Sequence, residues 1–391
     1  MNYIYHSEEY RHSLLERFIR YVKVWTTSDS HNADAGVIPS TQRQWDLARM
    51  LESELKALGL TDVQVTDKCF VYGRLDGESH SDGIILLAHL DTSEAVTGEN
   101  VKPVIETTDT DTIIRTDGTT LLGGDDKSGI AAIMTMLEYL KNNPEMSHCS
   151  IEVMFTPDEE TGTGIGSVPL ELIRAKTGLT VDGSAAGELE CECFNAAEAT
   201  VTFAGKAIHP GYAKDGGLIN PLLIMNEFIA ALPADKRPET TDGYQGYIYA
   251  ESAAANPDSA DLKLILRSFC RDELDSFKAI IQNEADILRS KYSVPITVQI
   301  KDQYQNMKEI IDQYPQFLEQ LTAAYRAAGL EPTFRPIRGG TDGARLSFMG
   351  IPTPNMFDGA HDFHSRAEWA SLNEMCLAAD VLVNFVGESN A

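Results

Sequence analysis

The sequence lacks the features that would connect it with a membrane or a nucleic acid. No apolar stretch is long enough to span a bilayer, and the opening residues MNYIYHSEEYRHSLLERF contain no apolar core of the signal-peptide type. No basic run occurs either, since 59 Asp and Glu face 32 Lys and Arg, for a net charge of -27. We therefore expect no membrane and no nucleic-acid partner, and we interpret the acidity as a solvated surface.

Cysteine is scarce, and its spacing argues against a thiolate site. The six cysteines are scattered, with no CxxC pair. Cys191 and Cys193 alternate with acidic residues, so we expect them to share one face of a strand as buried thiols rather than to bind a metal. Thiols without a disulfide framework fit a reducing cytoplasm, which is the predicted location.

The sequence does contain an alternation of strand and helix patterns. GIILLAHLD and SIEVMFT predict strands buried on both faces, and DDKSGIAAIMTMLEYLKNN predicts a helix. A further helix is predicted in PSTQRQWDLARMLESELKALG, with Thr41 and Gln44 as a capping box and Gly59 at its end. Such alternation predicts an α/β fold with a mixed or largely parallel sheet.

The pattern changes after about residue 195. EATVTFAG, LKLILRSF and ITVQIKD alternate apolar and polar residues, which is typical of a sheet with one solvated face. TFRPIRGGTDGARL and PTPNMF then return to the first pattern. We predict a discontinuous domain, residues 1–195 and 306–391, interrupted by an inserted α+β unit, residues 196–305.

Five segments place carboxylates or imidazoles where apolar runs end. Any one of them alone is ordinarily a turn or a hydrogen-bonded histidine. Together they predict a ligand site, because strand ends are where open α/β sheets bind ligands. Mixed carboxylate and imidazole donors suit two Zn²⁺ ions (or Co²⁺ or Mn²⁺) sharing one carboxylate, with a spare acid as general base. The segments carry His89 and Asp91; Asp125 and Asp126; Asp158, Glu159 and Glu160; Asp182; and His361 and His364.

These segments, together with IRGGTDGA, resemble the motifs of the M20 metallopeptidases in their order and through nearly the whole chain. The similarity is greatest to the branch whose members are tripeptide aminopeptidases, and it extends to GELECECFNAA and HPGYAK. The resemblance implies an α/β catalytic domain with an inserted lid that also forms a homodimer. It implies a two-metal aminopeptidase with two zinc ions per subunit, releasing the N-terminal residue from short peptides.

The resemblance also assigns the metal site residue by residue. It implies that His89 and Asp182 bind one metal, Glu160 and His364 bind the other, Asp125 bridges both, Asp91 holds the second ring nitrogen of His89, and Glu159 is the general base. His361 is the alternative to His364, which family position favours because Glu368 follows it.

In the inserted unit, the resemblance implies that His209 stabilises the oxyanion, within one chain or across the dimer interface. The alternative is a structural turn histidine before Pro210. Asn220 and Arg267 are predicted to contact the substrate backbone or its carboxylate, whereas an Arg on an alternating strand is otherwise a residue of the solvated face.

Two other functions compete with the aminopeptidase. An M20-type deacylase or amidase would use the same metals and base on N-acyl or N-carbamoyl small molecules. The α-amino group separates the two enzymes, because acetylating it abolishes aminopeptidase cleavage and a deacylase requires it acylated. A non-catalytic binding protein with this fold would be expected to lack Glu159 or a ligand, and every one of these positions is filled.

Overall fold

The computed structural model describes residues 3–77 and 83–387. Its helices are α1 Glu8–Val22, α2 Ser30–Asp34, α3 Gln44–Leu58, α4 Gly124–Asn142, α5 Ala213–Gly216, α6 Pro221–Ala231, α7 Arg271–Tyr292, α8 Lys308–Ile311, α9 Pro315–Ala327, α10 Asp342–Phe348 and α11 Leu372–Val386. Its strands are β1 Thr61–Val65, β2 Val71–Leu75, β3 Ile84–His89, β4 Val104–Thr107, β5 Thr112–Arg115, β6 Ile151–Thr156, β7 Thr177–Gly183, β8 Glu188–Cys193, β9 Asn195–Ala204, β10 Tyr247–Ala255, β11 Ser259–Ser268, β12 Ile296–Tyr304, β13 Thr333–Ile337, β14 Asn355–Phe357, β15 Ala360–His361 and β16 Trp369–Ser371.

An eight-stranded mixed sheet has the order β1-β2-β6-β3-β7-β14-β8-β13. Within it, β3 is parallel to both β6 and β7, and β14 is parallel to β7 but antiparallel to β8. Every residue of β3 and β6 is buried, which is why both strands are mostly apolar in the sequence; the exception inside β6, Glu152, is paired with Arg74 at 2.8 Å. The predicted α/β fold with a mixed sheet is confirmed.

The chain divides into two compact units. The first unit contains the described residues up to Cys191, Met307–Arg335, and the described residues from Thr341 onward. The second unit contains Glu192–Asn306 and Pro336–Gly340. It is built on a four-stranded antiparallel sheet in the order β10-β11-β9-β12, with α6 and α7 packed on it. The predicted boundaries at 195 and 306, and the lid role of the insert, stay predictions.

Helix α3 begins differently from the prediction. Its N-cap is Arg43 rather than Thr41, and no side chain caps it. Gln44 is the first helical residue, and its Nε2 donates to Asp158 Oδ1 at 2.6 Å, so a long-range contact uses the amide that the capping box required. The capping-box prediction is therefore wrong. Gly59 does end the helix, with a left-handed φ of 95°.

The structure also bears on two expectations drawn from composition. Cys191 and Cys193 are both buried on β8 and alternate with partly buried acidic residues, as predicted. Within residues 3–77 and 83–387, none of the helices has the length and apolar character that crossing a bilayer requires.

A buried ion cluster joins α1, α3 and α4. Arg17 of α1 is only 7% exposed, and it donates to Glu54 of α3 and to Glu138 of α4, each at 2.6 Å. Tyr21 donates its hydroxyl to the second oxygen of Glu54 at 2.7 Å. Burial alone would raise the pKa of Glu54, but the hydrogen bonds from Tyr21 and Arg17 and the charges of Arg17 and Arg20 outweigh it and lower the pKa. The fold therefore stabilises the ionised form of Glu54.

Replacing Arg17 by Met should lower the free energy of unfolding by about 3–5 kcal/mol, because the two carboxylates lose their buried cation. Arg20→Met is the matched control. Arg20 also binds Glu54, at 2.7 Å, but its side chain is 46% exposed, so its loss should cost less than about 1 kcal/mol. Urea unfolding measures both changes, and equal losses for the two variants would contradict the expectation.

The pH dependence of this cluster follows from the lowered pKa of Glu54. A carboxyl whose pKa falls on folding stabilises the protein above its unfolded pKa, and that contribution is lost as pH drops through the folded value. The stability difference between the wild type and Arg17→Met should therefore be full near neutral pH and shrink below the ordinary glutamate pKa of 4.5. Urea titrations across this range check the sign.

Candidate metal centre

Three metal-capable side chains meet where strands of the first unit end. His89 is the last residue of β3, Asp182 is the second-last residue of β7, and Asp125 lies in the first turn of α4. Their ligand atoms lie within 4.8 Å of one another. His89 Nε2 is 2.8 Å from Asp125 Oδ1 and 3.5 Å from Asp182 Oδ1. We call His89, Asp125 and Asp182 the first metal group.

Asp125 belongs to another such group as well. His364 Nε2 lies 3.0 Å from Asp125 Oδ2 and 3.0 Å from Glu160 Oε2. We call Asp125, Glu160 and His364 the second metal group, and its ligand atoms also lie within 4.8 Å of one another. The two oxygens of Asp125 face different groups, which is the arrangement that a bridging carboxylate requires.

Burial and crowding of like charges shape the pKa values of these groups. Burial raises the pKa of Glu160 to about 7, and the charge of Asp125 adds to that effect. Hydrogen bonds to Asp125 and Glu160 raise the pKa of His364 to about 11. Burial alone would lower the pKa of His89, but Asp182 and Asp125 outweigh it and raise that pKa. The crowded carboxylates therefore create a negative potential that favours positive charge at this site.

The donors fit divalent cations. Each group supplies carboxylate oxygens and one imidazole nitrogen, which is the donor chemistry of zinc and its neighbours. Glu160 Oε1 is buried without a hydrogen-bond partner, so that oxygen lacks the contact that buried acceptors normally have. Two cations sharing Asp125 would satisfy these atoms.

Residues 158–160, which we call the acid turn, separate a ligand from an acid that belongs to neither group. Glu160 is in the second metal group, whereas Glu159 lines a crevice with His89 and Asp182. The backbone N–H groups of Glu159 and Glu160 donate to the two carboxylate oxygens of Asp91, at 3.0 and 3.2 Å. Asp91 therefore fixes the backbone from which both side chains project.

Asp91 lies against the second ring nitrogen of His89, where it was predicted. His89 Nδ1 lies 3.1 Å from the backbone carbonyl of Asp91 and 3.6 Å from its carboxylate. The carbonyl is the nearer acceptor, so it is the group that holds Nδ1 as the N–H and leaves Nε2 for the first metal group. The carboxylate of Asp91 also binds the acid turn.

Asp158 anchors the acid turn from its other side. Its carboxylate is fully buried and accepts hydrogen bonds from Ser40 N at 2.6 Å, Ser40 Oγ at 2.5 Å and Gln44 Nε2 at 2.6 Å. Its own φ is 56°, in the left-handed region. The sequence predicted a turn and a supporting role behind the metal ligands for Asp158, but it did not identify these three donors.

Asp158→Asn should lower the free energy of unfolding by about 1–3 kcal/mol, because one amide oxygen cannot accept from three donors and the NH₂ group then faces a donor. We also expect kcat to fall more than KM rises, since the acid turn carries Glu159. Urea unfolding and steady-state kinetics measure the two effects. Asp67→Asn, the same change at an exposed site, is the control and should stay within about 0.5 kcal/mol. Equal behaviour of the two variants would refute the anchoring role.

Glu368 holds the loop that presents Asp125, a role that sequence reasoning missed. Its carboxylate, 2% exposed, accepts the N–H groups of Leu122 at 2.8 Å, Gly123 at 3.0 Å and Asp125 at 3.1 Å. In the sequence Glu368 served only as a marker for His364. Backbone N–H groups in a glycine-rich loop need an acceptor from elsewhere in the chain, and this need was the feature of the sequence that could have predicted a buried carboxylate here.

Three more buried acids lie near the two groups without belonging to either. Burial raises the pKa of Asp126, Asp342 and Asp358, in the case of Asp342 to about 6. Asp126 accepts the backbone N–H of His89 at 2.9 Å. Asp342 lies in the stretch IRGGTDGA, but nothing in the sequence gave it a role.

His364, rather than His361, lies in a metal group. His361 Nε2 is 2.8 Å from Glu374 Oε2, and its ring stacks on Trp369 with centroids 4.1 Å apart. The His361 ring is therefore held by Glu374 and Trp369 rather than by the metal groups.

The three remaining predicted residues lie in the second unit. His209 is exposed, and its Nδ1 accepts the Gly211 N–H at 3.1 Å. Asn220 caps α6 by accepting the Leu222 N–H at 3.0 Å. Arg267 donates to the backbone carbonyl of Leu266 at 3.0 Å. Each has a local partner, and their roles toward substrate stay predictions.

Known proteins resemble this chain in both sequence and fold. The family described as peptidase family M20/M25/M40 matches residues 85–388. Peptidase T of Geobacillus thermodenitrificans (strain NG80-2) is 43% identical over 406 aligned residues, covering 96% of this chain and 98% of the relative. The crystal structure of aminopeptidase PepT from Bacillus cereus has a TM-score of 0.79 at 21% identity, covering 96% and 98% of the two chains. A tripeptidase structure from Staphylococcus aureus has a TM-score of 0.80 at 22% identity, covering 96% and 97%. The last two likenesses concern the fold.

Proposed function

The chain belongs to peptidase family M20/M25/M40, and we propose that it is a two-metal aminopeptidase that releases the N-terminal residue of short peptides, with tripeptides as the preferred class. The observation that carries this proposal is the position of Asp125 in both metal groups, with Glu159 outside them. The 43% identity with a peptidase T supports the choice of substrate.

We propose zinc as the native metal. His89 and Asp182 would hold one ion, Glu160 and His364 the other, and Asp125 would hold both. When bound, the ions would polarise the scissile carbonyl and make the attacking water more acidic. Asp91 accepts the N–H groups of the acid turn, Glu368 accepts that of Asp125, and Asp158 fastens the acid turn to Ser40 by accepting the Ser40 N–H.

Glu159 is proposed as the general base. It takes a proton from the attacking water and passes it to the nitrogen of the leaving amine. Asp91 holds the N–H groups of both residues, and their side chains have different neighbours: Glu160 contacts His364, whereas Glu159 lines the crevice with His89 and Asp182. One acid can then serve as ligand and its neighbour as base.

His209 is proposed to donate to the oxyanion. Its Nδ1 accepts the Gly211 N–H, so in the neutral ring the proton resides on Nε2, which makes Nε2 a donor. A homodimer formed through the second unit is part of the same proposal, and light scattering coupled to size-exclusion chromatography tests it.

The experiment that tests the function is a substrate panel with zinc added. Free di-, tri- and tetrapeptides are compared with their N-acetylated counterparts, and the products are identified by mass spectrometry. We expect the free tripeptide to be cleaved fastest, giving its first residue and a dipeptide, and N-acetylation to abolish cleavage. Cleavage of the N-acetylated substrates alone would make the enzyme a deacylase.

A further inference from the structure

We infer that Asn355 and Glu190 are positioning residues for Asp182, the carboxylate that belongs to the first metal group alone. The inference rests on the proposed two-metal site and extends it to two residues that none of the assigned roles includes. If it is correct, replacing either residue should weaken the binding of one of the two metal ions and leave the binding of the other unchanged.

The backbone of Asp182 needs support that the sheet does not provide. Strands β7 and β14 are parallel, with Asn355 opposite Thr180, Met356 opposite Val181 and Phe357 opposite Gly183. The register shifts between Met356 and Phe357, so Asp182 has no opposite residue in this pairing. A residue at such a bulge is re-aimed and loses its ladder hydrogen bonds.

The side chain of Asn355 replaces those hydrogen bonds. Its Oδ1 accepts the backbone N–H of Asp182 at 3.1 Å, and its Nδ2 donates to the backbone carbonyl of Asp182 at 2.9 Å. One amide thus holds both polar groups of the Asp182 backbone. Asn355 is 1% exposed, so water does not compete for these contacts. The direction of the Asp182 side chain follows from this clamp.

Glu190 fixes which way round the amide of Asn355 lies. It faces Asn355 across the antiparallel pair of β14 and β8, and it accepts the second Nδ2 proton at 2.7 Å. In this contact an oxygen of Glu190 is the acceptor, so the NH₂ end of the amide points toward Glu190 and the oxygen toward the Asp182 N–H. A flipped amide would place its NH₂ against that N–H and its oxygen against Glu190.

The expected effect is on metal affinity. Residues that orient a ligand without touching the metal typically change affinity by about 10–100-fold when replaced. Asp182 belongs only to the first metal group, so Asn355→Asp should weaken one ion by roughly that factor and leave the other within about twofold. A general loss of packing would instead weaken both ions.

The test uses the full chain and zinc itself. The variants are Asn355→Asp, which has the same shape but no donor, and Glu190→Met, which has no acceptor. Glu190→Gln keeps an acceptor oxygen, so unlike Glu190→Met it should bind zinc with wild-type affinity. Glu188→Gln is the control, because Glu188 lies on the same strand and pairs with Arg335 at 3.1 Å. Stepwise zinc affinities come from competition with a chromophoric chelator, and the Co²⁺ absorption spectrum reports the geometry of each loaded site.

Three results together would support the inference. Asn355→Asp binds one of the two ions more weakly, its Co²⁺ absorption band changes, and Glu190→Gln binds both ions with wild-type affinity while Glu190→Met does not. The inference would be overturned if Asn355→Asp bound both ions with wild-type affinity. It would also be overturned if a folded Asn355→Asp apoprotein bound both ions equally more weakly. If Asn355→Asp does not fold, as judged by circular dichroism, Glu190→Met decides, and an unchanged Co²⁺ spectrum then overturns it. A wild-type protein that binds fewer than two ions or leaves peptides intact would refute the proposed function instead.

Discussion

Glu159→Gln is expected to keep both metals and to lose turnover by about 10²–10⁴-fold. Gln has nearly the shape of Glu, so packing changes little, but its amide cannot take the proton of the attacking water. Glu159 lies outside both metal groups, so zinc affinity should stay at the wild-type value. Equilibrium dialysis with zinc and steady-state kinetics on a tripeptide measure the two quantities.

Glu160→Gln is the matched comparison, one residue along the same turn. It removes an anionic ligand of the second metal group, so metal binding should weaken and activity should recover partly with added zinc. If Glu159→Gln loses metal while Glu160→Gln keeps it and is inactive, the two roles are exchanged. Full activity in both variants would show that the proposed mechanism is wrong.

His364→Ala should abolish activity and reduce bound zinc, because His364 lies 3.0 Å from both Asp125 and Glu160. His361→Ala is its control, three residues earlier. The ring of His361 contacts Glu374 and Trp369, so its loss should reduce stability while metal content stays at the wild-type level. Metal analysis by mass spectrometry distinguishes the two. Zinc loss confined to His361→Ala would mean that the C-terminal motif is misassigned.

The parts of the fold that the sequence predicted are those where burial alone dictates residue type. A strand covered on both faces must be largely apolar, and β3 and β6 satisfy that condition apart from Glu152, whose buried charge is paired with Arg74. Strand β10 was not predicted, because Tyr247–Ala255 is largely exposed and its sequence YIYAESAAA is dominated by small residues. At the edge of a sheet, backbone pairing rather than a buried face decides the structure.

The residues of the site also fall into those that the sequence predicted and those that it did not. The residues of both metal groups were identifiable because carboxylates and imidazoles stand out where apolar runs end. Asn355, Glu190 and Glu368 were not, since each acts on backbone groups or amides far away along the chain. Asn355 binds Asp182 across 173 positions, and Glu368 binds the Asp125 N–H across 243. Gln44 illustrates the converse, because a local capping pattern was overridden by a contact with Asp158.

The position of β14 between β7 and β8 has a consequence for biosynthesis. Asn355 leaves the ribosome 173 residues after Asp182, and at about 5–20 residues per second this interval lasts roughly 10–30 s. During that time β7 and β8 exist without the strand that joins them, and their facing edges are open to wrong partners. The second unit is almost contiguous in sequence and can fold meanwhile, whereas the first unit closes only after β14 has been synthesised. Stable metal capture by the first metal group should therefore wait for the synthesis of Asn355, long after all three of its ligands have been made.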